Sequence, residues 1–304
     1  MKYSPSQPSE SVYRTRIVSW VFLSLLIITS ACLSLALNKG QVTPRTYTVM
    51  FPYEPYRDLI TFPVQLDGVT KKVIFDAGNH LSGLNHQPNS SRIATISNGN
   101  SQGKAIDSEI FNLESLAIEG VTFKNTAYFY HDFSATFATV EELGEEEFGG
   151  LLGQSVIKKA NWIIDFRAHR ITMTSEALGP YQHTVSSQRK NDMFYALVLV
   201  EGEQHAALID LGYNGGLSIP ITSPLADTLR ARYSFQEKTS KKMILGRTVE
   251  TTKHQGILPL VSINDYPYRE IPVTIDSASS LKIGTRFFKD QVLHIDNDNQ
   301  IIAL

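Results

Sequence analysis

Two aspartates in this chain stand in nearly the same local sequence, Asp76 in Phe75-Asp76-Ala77-Gly78 and Asp210 in Ile209-Asp210-Leu211-Gly212. Each closes an apolar run, and each is followed two positions later by a glycine, Gly78 or Gly212. Glycine lets the backbone turn tightly and bring amide N–H groups up to the carboxyl, which favours its charged form. Two such turns placed face to face would form a proton-transfer device. Carboxyls in contact cannot both ionise cheaply, so one keeps a proton. The ionised member then acts as general base on a shared water while the protonated member supports a carbonyl oxygen. No metal and no covalent intermediate is required. A lone Asp-x-Gly is a common turn, so the assignment depends on whether the two aspartates belong to one repeated unit.

The flanking sequence answers that question. Gly68 precedes Asp76 by eight positions, and Gly202 precedes Asp210 by the same eight. Further on, Leu151-Leu152-Gly153-Gln154-Ser155-Val156-Ile157 matches Lys282-Ile283-Gly284-Thr285-Arg286-Phe287-Phe288. Gly153 lies twelve before Asp165 and Gly284 twelve before Asp296, and Ile171 and Ile302 each follow six later. The intervals from the aspartate to that glycine are 77 and 74. An ordered series found twice is the signature of a duplicated unit. Asp165 and Asp296 are paired by the same repeat, but their place in a late strand suits turn geometry and packing, and they receive no catalytic role.

The elements that must position these turns are short. Apolar runs at 61–66, 72–75, 116–118, 163–166, 195–200 and 207–209 are broken by Gly, Asn and Asp, which predicts an all-β body. Only 154–160 and 285–290 suggest helices, both short.

On these residues the chain resembles the retropepsin-like and pepsin-like aspartic peptidases, over nearly the whole body from about 58 to 304. The resemblance is carried by the two Asp-x-Gly turns, by Gly149-Gly150-Leu151-Leu152-Gly153 and by Ile283-Gly284. It implies a bilobal acid-protease-like fold with two homologous β-barrel-like lobes, 58–178 and 193–304, joined by an inter-lobe linker, 179–192. It further implies that Asp76 and Asp210 are catalytic, with Gly78 and Gly212 supporting their turns. The implied reaction is peptide-bond hydrolysis by an activated water, without cofactor. A peptide or protein substrate would lie extended in the groove under hairpin flaps, held by strand addition. With both lobes in one chain, a monomer suffices. The chain departs from the family where relatives carry Thr or Ser after the aspartate: here stand Ala77 and Leu211. The hydroxyl cross-links between lobes cannot form, a loss of about 0.5–1.5 kcal/mol per bond. The rival reading is therefore a weakened or inactive module that binds extended peptides.

The remaining features bound these readings. The chain has 304 residues, 42% hydrophobic and 19% charged, with net charge −2 and scattered basic residues, so nucleic acid is a poor partner. Residues 17–37 carry no charged side chain and are long enough to cross a bilayer as a helix. Lys2, Arg14 and Arg16 before it, against Lys39 and Arg45 after it, place the tail 1–16 in the cytoplasm and the body outside it. Residues 38–57, with Pro44, Pro52 and Pro55, read as a linker. The sole cysteine, Cys32, lies inside the apolar run, so the body has no disulfide or cysteine metal site. Thr29-Ser30-Ala31-Cys32 resembles a lipoprotein cleavage box, a minor alternative in which Thr29 replaces the usual leucine.

Gly99-Asn100-Ser101-Gln102-Gly103 fits the Gly-x-Ser-x-Gly pattern of a serine hydrolase, but the sequence after Ser101 reads as turn and strand where that chemistry needs a helix. A flap hairpin is the better reading. The eight histidines show no zinc-peptidase spacing, so no metal is expected. His80 and His86 flank the first aspartate turn as candidate substrate contacts, against the commoner outcome of loop histidines. The acidic stretch Glu141, Glu142, Glu145, Glu146 and Glu147 reads as a solvated loop.

Overall fold

The computed structural model describes residues 40–99, 105–133, 148–186, 188–244, 247–264 and 266–304. In the first half the strands are β1 (Gln41–Thr43), β2 (Thr48–Pro52), β3 (Glu54–Tyr56), β4 (Leu59–Leu66), β5 (Val69–Phe75), β6 (Ser82–Leu84), β7 (Ala94–Gly99), β8 (Ala105–Ile118), β9 (Val121–Tyr130) and β10 (Phe148–Leu152). A one-turn helix, α1 (Gln154–Ile157), leads to β11 (Asn161–Asp165) and β12 (Arg170–Thr174). The second half has β13 (Thr184–Ser186), β14 (Gln188–Lys190), β15 (Met193–Val200), β16 (Glu203–Ile209), β17 (Leu217–Pro220), helix α2 (Pro224–Arg232), β18 (Gln236–Ile244), β19 (Arg247–Ile263), β20 (Tyr266–Asp276) and β21 (Lys282–Ile283). A 3-10 turn at Thr285–Phe287 precedes β22 (Val292–Asp296) and β23 (Ile301–Ala303). The body is all-β, built from several sheets, as the broken apolar runs predict.

Side-chain alternation decides which face of each strand turns inward. In β4, Phe62, Val64 and Leu66 are buried while Pro63 and Gln65 face solvent; in β15, Phe194, Ala196, Val198 and Val200 are buried while Leu197 and Leu199 are exposed. The pairings β4–β5–β10–β6–β9–β8 return to β4 and close a ring of six strands. The pairings β15–β16–β21–β17–β20–β19 return to β15 and close a second. Each ring has its two parallel pairs in equivalent places, β5–β10 and β6–β9 against β16–β21 and β17–β20. Ring closure gives each of the twelve ring strands a partner on both sides. Hairpins β7–β8 and β18–β19 extend from the two rings at equivalent positions. The turns entering β5 and β16 are also equivalent: Gly68 and Gly202 have φ of 85° and 84°, a conformation that favours glycine.

A third sheet runs β13-β23-β22-β11-β12-β2 and reads the same from either end of the duplication. At its centre β11 pairs antiparallel with β22, with Ile163 opposite His294. These residues are 131 apart in sequence, as are Asp165 and Asp296, so a local twofold axis passes through that pair. The shared sheet makes Gly40–Leu304 one compact unit.

Two stretches expected as linkers are folded. Within 38–57, β1 pairs with β9, β2 with β12 and β3 with β4. Within 179–192, β13 pairs with β23 and β14 with β15. Pro52 and Pro55 are compatible with strands here, because β2 and β3 are edge strands and an edge can spare an N–H, while Pro44 follows the end of β1. Both stretches belong to the repeat. β3 turns into β4 through Arg57 and Asp58 (φ 47° and 67°), and β14 turns into β15 through Asn191 and Asp192 (φ 52° and 64°). Two successive positive φ values suit the right-handed twist of a two-residue hairpin.

The expected short helices contract to α1 and the 3-10 turn, while α2 is an addition. Ser223 caps α2 by accepting the Ala226 N–H on its Oγ at 3.2 Å, Pro224 occupies the first turn, and Leu225, Ala226 and Leu229 are buried. Among the described residues no helix is long and apolar enough to cross a membrane. The apolar segment 17–37 and Cys32 lie outside the described residues.

Candidate active site

Asp76 follows β5 directly and Asp210 follows β16, and each is fixed at its backbone by the strand beside it. The Asp76 N–H donates to Leu152 O at 2.9 Å and the Asp210 N–H to Ile283 O at 2.8 Å. The chain then folds back in the same way twice: Asn79 N–H donates to Asp76 O at 3.3 Å, and Tyr213 N–H to Asp210 O at 3.1 Å. The turn after β10 or β21 completes each staple, with Gln154 N–H donating to Asn79 O and Thr285 N–H to Tyr213 O, both at 2.9 Å. This is the structural meaning of the repeated Gly153-Gln154 and Gly284-Thr285: they anchor the aspartate turns.

Within each turn the glycine N–H reaches the carboxyl, Gly78 to Asp76 Oδ1 and Gly212 to Asp210 Oδ1, both at 3.1 Å. Across the pair, each glycine lies against the other turn's carboxyl. A Cβ on Gly78 would sit 2.5 Å from Asp210 Cγ, and one on Gly212 would sit 2.4 Å from Asp76 Cγ. No other residue type fits there. The two carboxyls lie close enough that the charge on Asp210 opposes ionisation of Asp76, and their residues are 8% and 7% exposed.

Ala77 and Leu211 are fully buried in the apolar core. They fill these positions with apolar packing and bring no hydroxyl to the turns. The Gln154 side-chain amide donates to Ala77 O at 2.8 Å, so the first turn is held by an amide from α1.

Sequence reasoning missed Lys282. Its ammonium lies 2.7 Å from Asp210 Oδ2, with the lysine side chain only 18% exposed. The register makes it the counterpart of Leu151: β10 sets Leu151 opposite Ile74, and β21 sets Lys282 opposite Leu208, each two residues before its aspartate. The signal was present in the repeat as a charge where the first copy has an aliphatic side chain.

Burial pushes the Asp76 carboxyl up, the Asp210 carboxyl beside it adds to that, and Lys282 and the Gly78 N–H oppose it; the balance lies at about 8. Burial pulls the Lys282 ammonium down, but Asp210, Asp76 and Asp276 outweigh that and hold it above its ordinary range. Around neutral pH Asp76 therefore holds a proton and the ammonium is charged.

The other sequence candidates lie elsewhere. Asp165 Oδ1 accepts the N–H groups of Arg167 and Ala168, at 3.0 and 2.9 Å, as a turn residue. Asp296 is buried and accepts from Tyr181 and Asn299, tying the second half's late strands. His80 Nδ1 lies 3.0 Å from Asn191 O, and His86 Nε2 lies 3.1 Å from Asp67 Oδ2, so both are engaged away from the aspartates. The segment after the Gly-x-Ser-x-Gly match is strand β8, not the helix a nucleophile elbow needs; Ser101 itself and the acidic stretch 141–147 lie outside the described residues. Neither a scan against protein-family models nor a search of curated proteins returns a match.

Proposed function

We propose that this protein is a membrane-anchored aspartic-type endopeptidase. The observation that carries the reading is the reciprocal arrangement of Asp76 and Asp210, both buried, each carboxyl against the other turn's glycine. Such a pair holds one proton over a wide pH range and offers one base and one acid to a water and a carbonyl. The two rings and the shared sheet support an acid-protease-like architecture of two lobes about a pseudo-twofold axis. In it, hairpins β7–β8 and β18–β19 serve as the two flaps over an extended peptide. Both carboxyls come from one chain, so the monomer is the working unit. Residues 17–37 anchor the body, which faces away from the cytoplasm.

One observation favours a second reading, a module that binds extended peptides without cutting them. Lys282 already occupies an oxygen of Asp210, and Ala77 and Leu211 bring no hydroxyl to the turns. Digestion of a diverse peptide mixture by the detergent-solubilised full chain, from pH 3 to 9 in ¹⁸O-water, separates the two. An endopeptidase gives internal cleavages with one ¹⁸O in each new carboxylate, and Asp210→Asn gives none. Peptides retained on the protein without any cleavage identify the binding module.

A further inference from the structure

The duplication makes the two carboxyls equivalent by backbone, and one charged side chain beside them ends the equivalence. Both turns carry the same staples and the same glycine contact to Oδ1. At the position beside the aspartate strand, however, the first half has Leu151 and the second Lys282. We infer that Lys282 is a positioning residue that breaks the symmetry of the pair: its ammonium, 2.7 Å from Asp210 Oδ2, fixes the negative charge on Asp210 and leaves the shared proton on Asp76. This rests on the endopeptidase reading and assigns its roles. Asp210 is the base and Asp76 the acid.

The step balances without any further reactant. A water attacks the peptide carbonyl carbon as its proton passes to Asp210, a C–O bond forms, and the Asp76 proton goes to the carbonyl oxygen. On collapse the C–N bond breaks, the proton on Asp210 passes to the leaving nitrogen, and a diol proton returns to Asp76. Both carboxyls end as they began, and Lys282 stays an ammonium throughout.

The groups facing that ammonium are Asp210 at the end of β16, Asp76 at the end of β5, Asp276 at the end of β20, and the Tyr213 phenol. Asp276 is engaged by Ser218 Oγ at 3.3 Å and by the Ala278 N–H at 2.9 Å. Burial raises the Tyr213 phenol, so it stays neutral across the working range. The lysine charge is therefore the one asymmetric positive influence on the pair among the described residues. A positive neighbour favours every ionised form, so Lys282 lowers both proton losses of the pair, and removing it raises both.

The test is a ¹³C-carboxyl NMR titration of the full chain in detergent with labelled aspartate, the two resonances assigned by their loss in Asp76→Asn and Asp210→Asn, alongside the pH–rate profile for peptide cleavage. The wild type should show Asp210 ionised and Asp76 protonated at pH 6. Lys282→Leu, which installs the first half's residue, should move both titrations and both limbs of the profile upward by about 1–3 pH units. Lys282→Arg should keep the wild-type values, and Lys282→Met serves if the leucine variant does not fold. Unmoved titrations in Lys282→Leu or Lys282→Met, or a wild type with the charge on Asp76, overturn the inference while leaving cleavage intact. Shifted titrations with no cleavage at any pH uphold the proton assignment and remove the endopeptidase.

Discussion

At the scale of single residues, the site is governed by contacts that admit one side chain each. Gly212 is the clearest case, because a methyl group there would lie 2.4 Å from Asp76 Cγ. Gly212→Ala should lower kcat/KM on the order of 100-fold, the usual cost of displacing a catalytic group by about 1 Å, while far-UV circular dichroism stays that of the wild type. Asp76 makes a separate prediction through stability. The folded protein holds its proton up to about 8, whereas the unfolded chain releases it near 3.8. Its contribution is thus complete below 3.8 and is lost as pH rises to about 8. Urea unfolding should show the wild type losing stability relative to Asp76→Asn between pH 4 and 8, by an amount on the order of a few kcal/mol. A difference that is flat with pH would mean that Asp76 is ionised in the folded protein. The residues of this site were half legible. Asp76, Asp210, Gly78 and Gly212 stand out because the repeat conserves their spacing within the chain, while Lys282 breaks the repeat and is noticed only when the register places it beside Asp210.

At the scale of elements, the strands follow from alternation and the turns from positive φ, and the elements that escaped sequence reading did so for local reasons. Pro44, Pro52 and Pro55 hid strands that lie on edges. Arg57-Asp58 and Asn191-Asp192 form two-residue hairpin turns without the glycine that usually marks them. Two ion pairs then bind each half to the other's turn, from different positions of the repeat: Arg286 Nε reaches Asp58 Oδ2 at 2.6 Å, and Lys158 Nζ reaches Asp192 Oδ2 at 2.5 Å. Helix α2 was hidden by its weak amphipathic pattern, although Ser223-Pro224 is a start signal. Ser223→Ala should cost about 1 kcal/mol in chemical denaturation and leave peptide cleavage unchanged. The core beneath the first turn is more demanding. Trp162 on β11 is fully buried, donates from Nε1 to Ile157 O at 2.8 Å, and meets Phe75 edge-on with ring centroids 5.1 Å apart. Trp162→Ala should destabilise the protein by about 3–5 kcal/mol.

At the scale of the whole molecule, the duplication was legible as sequence spacing, but its consequence was not. Spacing alone reveals two copies of a unit; it does not reveal that β11 and β22 pair across a twofold axis and merge the copies into one sheet. That merger brings the two aspartate turns together, because each turn is stapled to the segment leading into β11 or β22. The body should accordingly unfold in one step, with far-UV and tryptophan signals coincident; two separated transitions would show that the halves are independent. The proposed endopeptidase requires the carboxyl pair to act together on a peptide bond. The most direct measurement is kcat/KM of Asp76→Asn and Asp210→Asn, each against wild type, on one peptide that the full chain cleaves. Loss of the shared proton or of the base should reduce each by about 1000-fold or more. Retention of activity within tenfold of wild type by either variant would contradict the account.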